Sequence, residues 1–207
     1  GMAMGSGGGK GADVLGVIEV RQDFPDTAFW DAFVQTNERG EASVAVRLPD
    51  TLTTWRMDAR AVTEDTRVGQ TNQDFICTKP LLVRPQTPRF FVVGDHLRLG
   101  AAVHNNPDDT LMVAVSLSAE GLTLISEAEK SLEIAPKTQT YMTWDVGVNG
   151  DAERVDLIFS AQGGGLKDAS RPPQGSLDNQ GIPIYRYEAR ETVGTSGNMT
   201  GGGTRIE

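Results

Sequence analysis

Two tryptophan-containing stretches decide the fold: Phe24-Pro-Asp-Thr-Ala-Phe-Trp30 and Leu48-Pro-Asp-Thr-Leu-Thr-Thr-Trp55. Each stretch places a tryptophan after a Pro-Asp-Thr turn. Proline presets the backbone for a turn and aspartate hydrogen-bonds to nearby backbone, while tryptophan buries a large ring that keeps one polar edge. Both tryptophans are therefore expected to pack into the core of a β-rich domain rather than to form an exposed ligand platform.

The composition is typical of short strands joined by many turns. Only 38% of the residues are hydrophobic, and the chain of 207 residues contains 24 glycines and 10 prolines, which argues against a helical bundle. The net charge of -9 disfavours nucleic acid and anionic membranes as partners, because both bind proteins mainly through cationic side chains. A single cysteine excludes a scaffold held by internal disulfides.

The first part of the chain predicts an incomplete β-sheet. Apolar residues alternate with other residues along 41–48 and again along 55–62, which is the period of a half-buried strand. A polar loop is predicted at 64–72. With the segments 15–21, 29–34 and 74–83, only four or five strands are available. So few strands leave one apolar sheet face uncovered, and we expect that face to associate with another copy or with a neighbouring domain.

The second part of the chain predicts a complete immunoglobulin-like sandwich. Arg84-Pro-Gln-Thr-Pro88 is the best boundary, because prolines do not fit a central strand. Turn signals then separate short β-patterned segments at regular intervals, as in two-sheet sandwiches. Residues 163–181 are rich in Gly, Pro, Ser and Asn, and β-patterning resumes at Ile182. The predicted strands of the sandwich are 90–93, 96–104, 110–119, 122–125, 129–134, 138–146 and 153–162.

No group of residues in the sequence predicts catalysis, a metal site or a cofactor site. His96 and His104 fall on one predicted strand about 26 Å apart, so they cannot share a metal ion. Cys77 lies in a predicted strand with no base or cation beside it in sequence, which favours a buried and inert thiol. The sequence has no Gly-x-Ser-x-Gly motif that would expose a serine nucleophile.

The two opening stretches, in this order and at this spacing, resemble motifs of the α2-macroglobulin and complement family. The motif residues are Phe24, Pro25, Trp30, Pro49, Asp50 and Trp55. Downstream, the stretches that begin at Lys79 and Pro88 resemble the entry to the next macroglobulin-like domain, and Ile182-Pro-Ile-Tyr-Arg-Tyr187 resembles the start of a CUB-like domain.

The resemblance implies a position for each part of the chain. The Gly-rich residues 1–14 resemble the tail of the bait region, which attacking proteases cut. Residues 15–79 resemble the second half of a macroglobulin-like domain, and 80–165 resemble a complete macroglobulin-like β-sandwich. Residues 166–181 would be a linker, and 182–207 resemble the first strands of a truncated CUB-like domain.

The resemblance also implies a function, as a non-catalytic part of an endopeptidase inhibitor. In this family, cleavage of the bait triggers a conformational change and a thioester captures the protease. The thioester requires Cys-x-x-Gln, and Cys77 is followed by Thr78, Lys79 and Pro80. The chain is thus expected to couple bait to thioester domain, with endoproteases and neighbouring domains as partners. The parent would be bacterial and extracytoplasmic. The open alternative is a cell-surface immunoglobulin-like adhesion or carbohydrate-binding module.

Overall fold

The computed structural model describes residues 18–176, 181–187 and 194. The predicted linker at 1–14, the start of the strand predicted at 15–21 and most of the predicted CUB-like segment lie outside these residues. Within the described chain, no helix is long and apolar enough to cross a membrane. The elements are β1 (Val20–Arg21), β2 (Thr54–Val62), β3 (Val68–Ile76), β4 (Leu81–Gln86), β5 (Phe91–Val92), β6 (His96–Asn105), β7 (Leu111–Glu120), β8 (Leu122–Leu124), β9 (Glu129–Ile134), β10 (Thr138–Val148), β11 (Arg154–Gly163), β12 (Leu166–Ser170), α1 (Pro173–Ser176) and β13 (Ile182–Tyr185).

Two sheets form an immunoglobulin-like sandwich. The smaller sheet has the antiparallel order β4-β6-β10-β8. In the larger sheet, β11 pairs with β7 along one edge, and β7 pairs with β9. Along the other edge of β11, the first residues of β11 pair with β13 and its last residues pair with β12. Two short parallel pairings, β1 with β12 and β5 with β13, complete the larger sheet.

The core lies between these sheets and follows from the alternation in the strands. On β11, Val155, Leu157, Phe159 and Ala161 are buried, and the same period holds on β6, β7 and β10. Trp144 on β10 is fully buried, with its ring centroid 5.6 Å from that of Phe159 in an edge-to-face contact. Its indole N–H donates to the Ala128 carbonyl at 3.0 Å, so the polar edge of the ring is satisfied.

The structure confirms the all-β class and the strands predicted between residues 90 and 163, which correspond to β5–β11. It corrects two boundaries. Pro85 lies within β4, and the edge position of β4 in its sheet explains why a proline is tolerated there. Residues 166–170, predicted as part of a linker, form β12 instead, because Gly164 and Gly165 allow a tight turn back onto β11 with positive φ angles of 57° and 76°.

The first part of the chain departs further from the prediction. Residues 22–53 contain no strand, so the alternation at 41–48 does not produce a buried face. The polar loop is shorter than predicted, because β3 begins at Val68, and the strand predicted at 74–83 divides into β3 and β4. β2 and β3 form an isolated two-stranded sheet, in agreement with the incomplete first sheet that the sequence predicts.

Candidate functional site

The described residues do not bring catalytic groups together. No three His, Cys, Asp or Glu side chains within the described ranges lie close enough to hold a metal ion. His96 is exposed and His104 is half-buried on β6. Burial and the charge of Arg84 lower the pKa of His104. Cys77 is a free thiol that is partly exposed, so the predicted burial of this side chain is wrong. It follows β3, in the segment between β3 and β4.

A buried polar cluster, which we call the junction, lies where the first part of the described chain meets the sandwich. Its centre is Asp168 on β12, a carboxylate with no solvent exposure. The Arg21 guanidinium donates to both of its oxygens, Nε to Oδ1 at 3.0 Å and Nη2 to Oδ2 at 2.9 Å. The Lys79 ammonium donates to Oδ1 at 2.8 Å. The backbone N–H of Val83 donates to Oδ2 at 3.0 Å, so three different segments converge on one carboxylate.

Arg21 reaches this carboxylate because β1 docks as a parallel edge strand beside β12, with Arg21 in register with Ser170. Its side chain is buried, and Nη2 also donates to the Val83 carbonyl at 2.7 Å. The fork geometry of a guanidinium suits a carboxylate in two-point contact, which gives the strongest hydrogen bonds of this type. The backbone N–H of Arg171 donates to the Arg21 carbonyl at 2.9 Å and extends the pairing by one bond.

Asp50, in the second Pro-Asp-Thr stretch, binds the backbone just before the first stretch. Its carboxylate Oδ2 accepts the backbone N–H groups of Gln22 and Asp23 at 2.9 and 3.0 Å, and its own N–H donates to the Asp23 carbonyl at 2.8 Å. The chain therefore leaves β1, makes an excursion through residues 24–49 and returns to the same point. We call residues 18–79 the arm, because they extend from the sandwich at this point.

Further hydrogen bonds attach the returning arm to the sandwich. Arg84 Nη2 donates to the Leu52 carbonyl at 3.0 Å, and Asn106 Nδ2 donates to the Lys79 carbonyl at 2.7 Å. Within the arm, the N–H of Cys77 donates to the Thr53 carbonyl at 2.8 Å. These bonds hold both ends of the β2–β3 hairpin beside β4 and β6.

The predicted motif residues are only partly brought together. Phe24 lies with its ring centroid 6.0 Å from the Arg21 guanidinium carbon. Pro25 and Pro49 line one cleft of about 240 Å³, together with Asp23, Ala28, Arg47 and Leu48. Asp50 has the bridging role described above.

The expectation of two core tryptophans is wrong for Trp30, whose side chain is 82% exposed. The described chain from 22 to 53 forms no strand that could turn its indole inward. Trp55 is half-buried, and its indole N–H donates to the Thr51 carbonyl at 3.2 Å.

Most of the large apolar side chains that are exposed in the described part of the chain belong to the arm. Phe33 is 90% exposed and Trp30 is 82% exposed. On the hairpin, Trp55 pairs with Phe75 and Met57 pairs with Gln73, which places these side chains on one face. The opposite face carries the ion pair of Arg56 and Asp74, whose Nε–Oδ1 distance is 2.8 Å. The same opposite face carries the exposed Val62, Val68 and Ile76. The two faces therefore differ in charge, and the face of Trp55, Met57 and Phe75 is the uncharged one.

A second ion pair stands next to the junction. Arg171 donates to the two carboxylate oxygens of Asp156 at 2.9 and 2.8 Å, and its Nη1 donates to Gln22 Oε1 at 2.8 Å. The hydrogen bonds from Arg171 are the main cause that lowers the pKa of Asp156, against an opposing effect of desolvation.

This shift predicts an acid-dependent loss of stability. Because the folded-state pKa of Asp156 is below its unfolded value of about 3.9, the pair stabilises the fold above that value and loses its effect as pH falls through the folded pKa. Thermal melting between about pH 5 and pH 2 should therefore fall less steeply for Asp156→Asn than for the unchanged chain. Equal slopes would contradict the assignment.

Sequence reasoning missed Arg21, Lys79 and Asp168. Arg21 and Asp168 are separated by 147 positions, and nothing in the local pattern of either residue indicates the other. Asp168 lies in β12, which pairs with β11, and the sequence predicts this segment as part of a linker.

The fold and junction define an all-β protein of macroglobulin-like sandwich architecture. Comparison with known proteins gives the same class. The model of the alpha-2-macroglobulin family matches residues 27–117. An alpha-2-macroglobulin homolog of Nostoc sp. is 33% identical over 87% of this chain and 9% of its own length. The alpha-2-macroglobulin of Thermotoga maritima is 30% identical over 73% of this chain and 10% of its own length.

Among solved structures, trypsin-activated alpha-2-macroglobulin from Escherichia coli matches with a TM-score of 0.58. It is 26% identical over 73% of this chain and 12% of the E. coli chain. The chain belongs to the alpha-2-macroglobulin family. It spans about a tenth of the length of the two curated relatives named above.

Proposed function

We propose that this chain is a non-catalytic structural part of a bacterial alpha-2-macroglobulin-like endopeptidase inhibitor, in which it couples the bait region to the thioester domain. The observation that carries the proposal is the junction at Asp168, which ties an extended arm to a packed two-sheet sandwich. A packed core resists continuous deformation, so it transmits a displacement as a rigid-body shift. That property is what a coupling element between two distant sites requires.

Each part of the chain has its own place in this coupling. Residues 1–14 are the tail of the bait region, and 15–79 are the second half of a macroglobulin-like domain. The sandwich predicted at 80–165 extends through β12 to Ser170. Residues from 182 onward lead into a CUB-like domain, after β13 has paired with β11 and β5. The parent protein then acts outside the cytoplasm, where its target endoproteases are met.

Neighbouring domains of the parent chain are the partners we propose for the hairpin. The face that carries Trp55, Met57 and Phe75 has no charged side chain, whereas the opposite face carries the ion pair of Arg56 and Asp74. In the isolated chain, a second copy is expected to cover the same face, so sedimentation should show association that increases with concentration. Replacing Met57 by lysine should weaken it, and a strictly monomeric chain at high concentration would contradict this part of the proposal.

The function is tested on the whole parent protein. Incubation with a panel of endoproteases should give a covalent protease adduct, and pretreatment with methylamine should prevent its formation, since methylamine consumes a thioester. The matched control is the same protease with its active site blocked, which cannot cut the bait and should give no adduct. Absence of both adduct and inhibition across the panel would refute the trapping function.

An immunoglobulin-like adhesion or carbohydrate-binding module is the second candidate, and the exposed indole of Trp30 is the observation that favours it. Exposed aromatic rings are common anchors in binding sites. Phe33 and several apolar side chains of the hairpin are exposed as well as Trp30. Exposed apolar residues spread along the arm fit a surface that a neighbouring domain covers better than a single ligand-binding site. Binding to a glycan panel that is lost in Trp30→Ala would favour the module over the inhibitor.

A further inference from the structure

We propose that Arg21 and Asp168 form a releasable latch, so that breaking this ion pair detaches the arm at β1 while the sandwich stays folded. The proposal concerns this chain itself and stands independently of protease trapping. It starts from an asymmetry at the junction. Asp168 belongs to β12, a five-residue strand in the large sheet, whereas Arg21 belongs to β1, a two-residue strand held at the sheet edge.

The charges at the junction make Arg21 dependent on Asp168. The Arg21 side chain is only 8% exposed, and Asp168 is the anion that contacts it directly. A guanidinium that loses such a partner in a buried place has a large desolvation cost. Lys79 differs, because its side chain is 36% exposed, so its ammonium can turn into solvent at little cost.

The least costly escape for an unpaired Arg21 is local. Withdrawal of β1 gives up its short pairing with β12 and the bond from the Arg171 N–H. It also gives up the bonds from Arg21 Nη2 to the Val83 carbonyl and from Arg171 Nη1 to Gln22 Oε1. Unfolding of the sandwich would instead expose the core of both sheets, which includes Trp144. An unpaired guanidinium can therefore return to water if one short edge strand detaches, as in other local unfolding units.

The latch also predicts an order among variants. Arg21→Gln leaves Asp168 with the Lys79 ammonium at 2.8 Å and the Val83 N–H at 3.0 Å, so the carboxylate remains compensated. Asp168→Asn removes the anion that contacts the Arg21 guanidinium. The second change should therefore release the arm more than the first. Adding Arg21→Gln to the Asp168→Asn variant removes the unpaired guanidinium and should restore part of the docking.

Hydrogen exchange measured residue by residue on the full chain tests the latch. The docking amides are those that take part in the pairing of β1 with β12 and that of Arg171, which donates to the Arg21 carbonyl. The reporters of the sandwich are the amides of β6 and β10. In Asp168→Asn, the docking amides should exchange about a hundredfold faster, with β6 and β10 unchanged. Arg21→Gln should give a smaller acceleration.

Two results would overturn the latch. One is unchanged exchange of the docking amides in Asp168→Asn. The other is acceleration of the β6 and β10 amides in step with the docking amides, which would make the pair a part of the global core. If Asp168→Asn does not fold, Arg21→Gln decides between the same outcomes. The control is Asp145→Asn, which breaks the exposed pair of Arg98 and Asp145 and should change neither set.

Discussion

Replacing Trp144 by alanine is expected to lower the free energy of unfolding of the sandwich by about 3–5 kcal/mol. The side chain is fully buried between the two sheets, and its removal leaves a cavity against Phe159. The variant also loses the hydrogen bond from the indole N–H to the Ala128 carbonyl at 3.0 Å. That carbonyl keeps the Leu117 N–H as a donor at 3.0 Å, so the cavity accounts for most of the expected loss. Chemical denaturation followed by far-UV circular dichroism measures the change.

The two other tryptophans provide matched controls for this experiment. Trp30 is largely exposed, and Trp30→Ala should change the stability by less than about 0.5 kcal/mol. Trp55 is half-buried on the isolated hairpin, so its replacement should cost clearly less than that of Trp144. An equal loss of stability for Trp30→Ala and Trp144→Ala would mean that Trp30 is buried, which would contradict its exposure in the structure.

Replacing Gly163 by alanine is the second change with a large expected effect, about 1–3 kcal/mol of lost stability. Gly163 ends β11, where the neighbouring backbone of β7 approaches closely. A methyl group on this residue would lie 2.3 Å from the Met112 carbonyl oxygen and 3.1 Å from the Val113 Cα. Since both contacts are with backbone, no side chain can turn away, and β7 must separate from β11. Thermal melting of the variant measures the loss.

The control for this change is Gly69→Ala on β3. A methyl group at Gly69 meets no atom within 4 Å, and replacing a strand glycine by alanine reduces the entropy of the unfolded chain. Its melting temperature should be unchanged or slightly raised. If Gly163→Ala melted like Gly69→Ala, the close approach of β7 to β11 would be refuted.

The sandwich could be predicted from the sequence because its signals are local. Each strand between Phe91 and Gly163 carries its own alternation, and turn residues such as Gly121 separate it from the next strand. The buried residues of β7 and β11 follow that alternation without exception at the core positions. Local pattern and tertiary packing agree here, which is the condition under which a sequence can be interpreted directly.

The arm could not be predicted in the same way. Residues 41–48 alternate like a strand, but a strand forms only where a neighbouring strand completes its hydrogen bonds, and the described chain offers none to this segment. The Arg21–Asp168 pair was missed for another reason, since its members are 147 positions apart. The resemblance to a family identified the stretches that meet at the junction, including Asp50, but not the charges that hold it together.

We expect the sandwich to move as one rigid body when the bait of the parent protein is cut, while the contacts of the arm change. Hydrogen exchange of the whole parent protein, measured before and after cleavage by a protease, tests this expectation most directly. The account predicts that amides of β6, β7, β10 and β11 keep their protection and that changes are confined to residues 18–79 and their junction at Asp168. Loss of protection in those four strands after cleavage would contradict it, because the sandwich would then repack instead of transmitting a displacement.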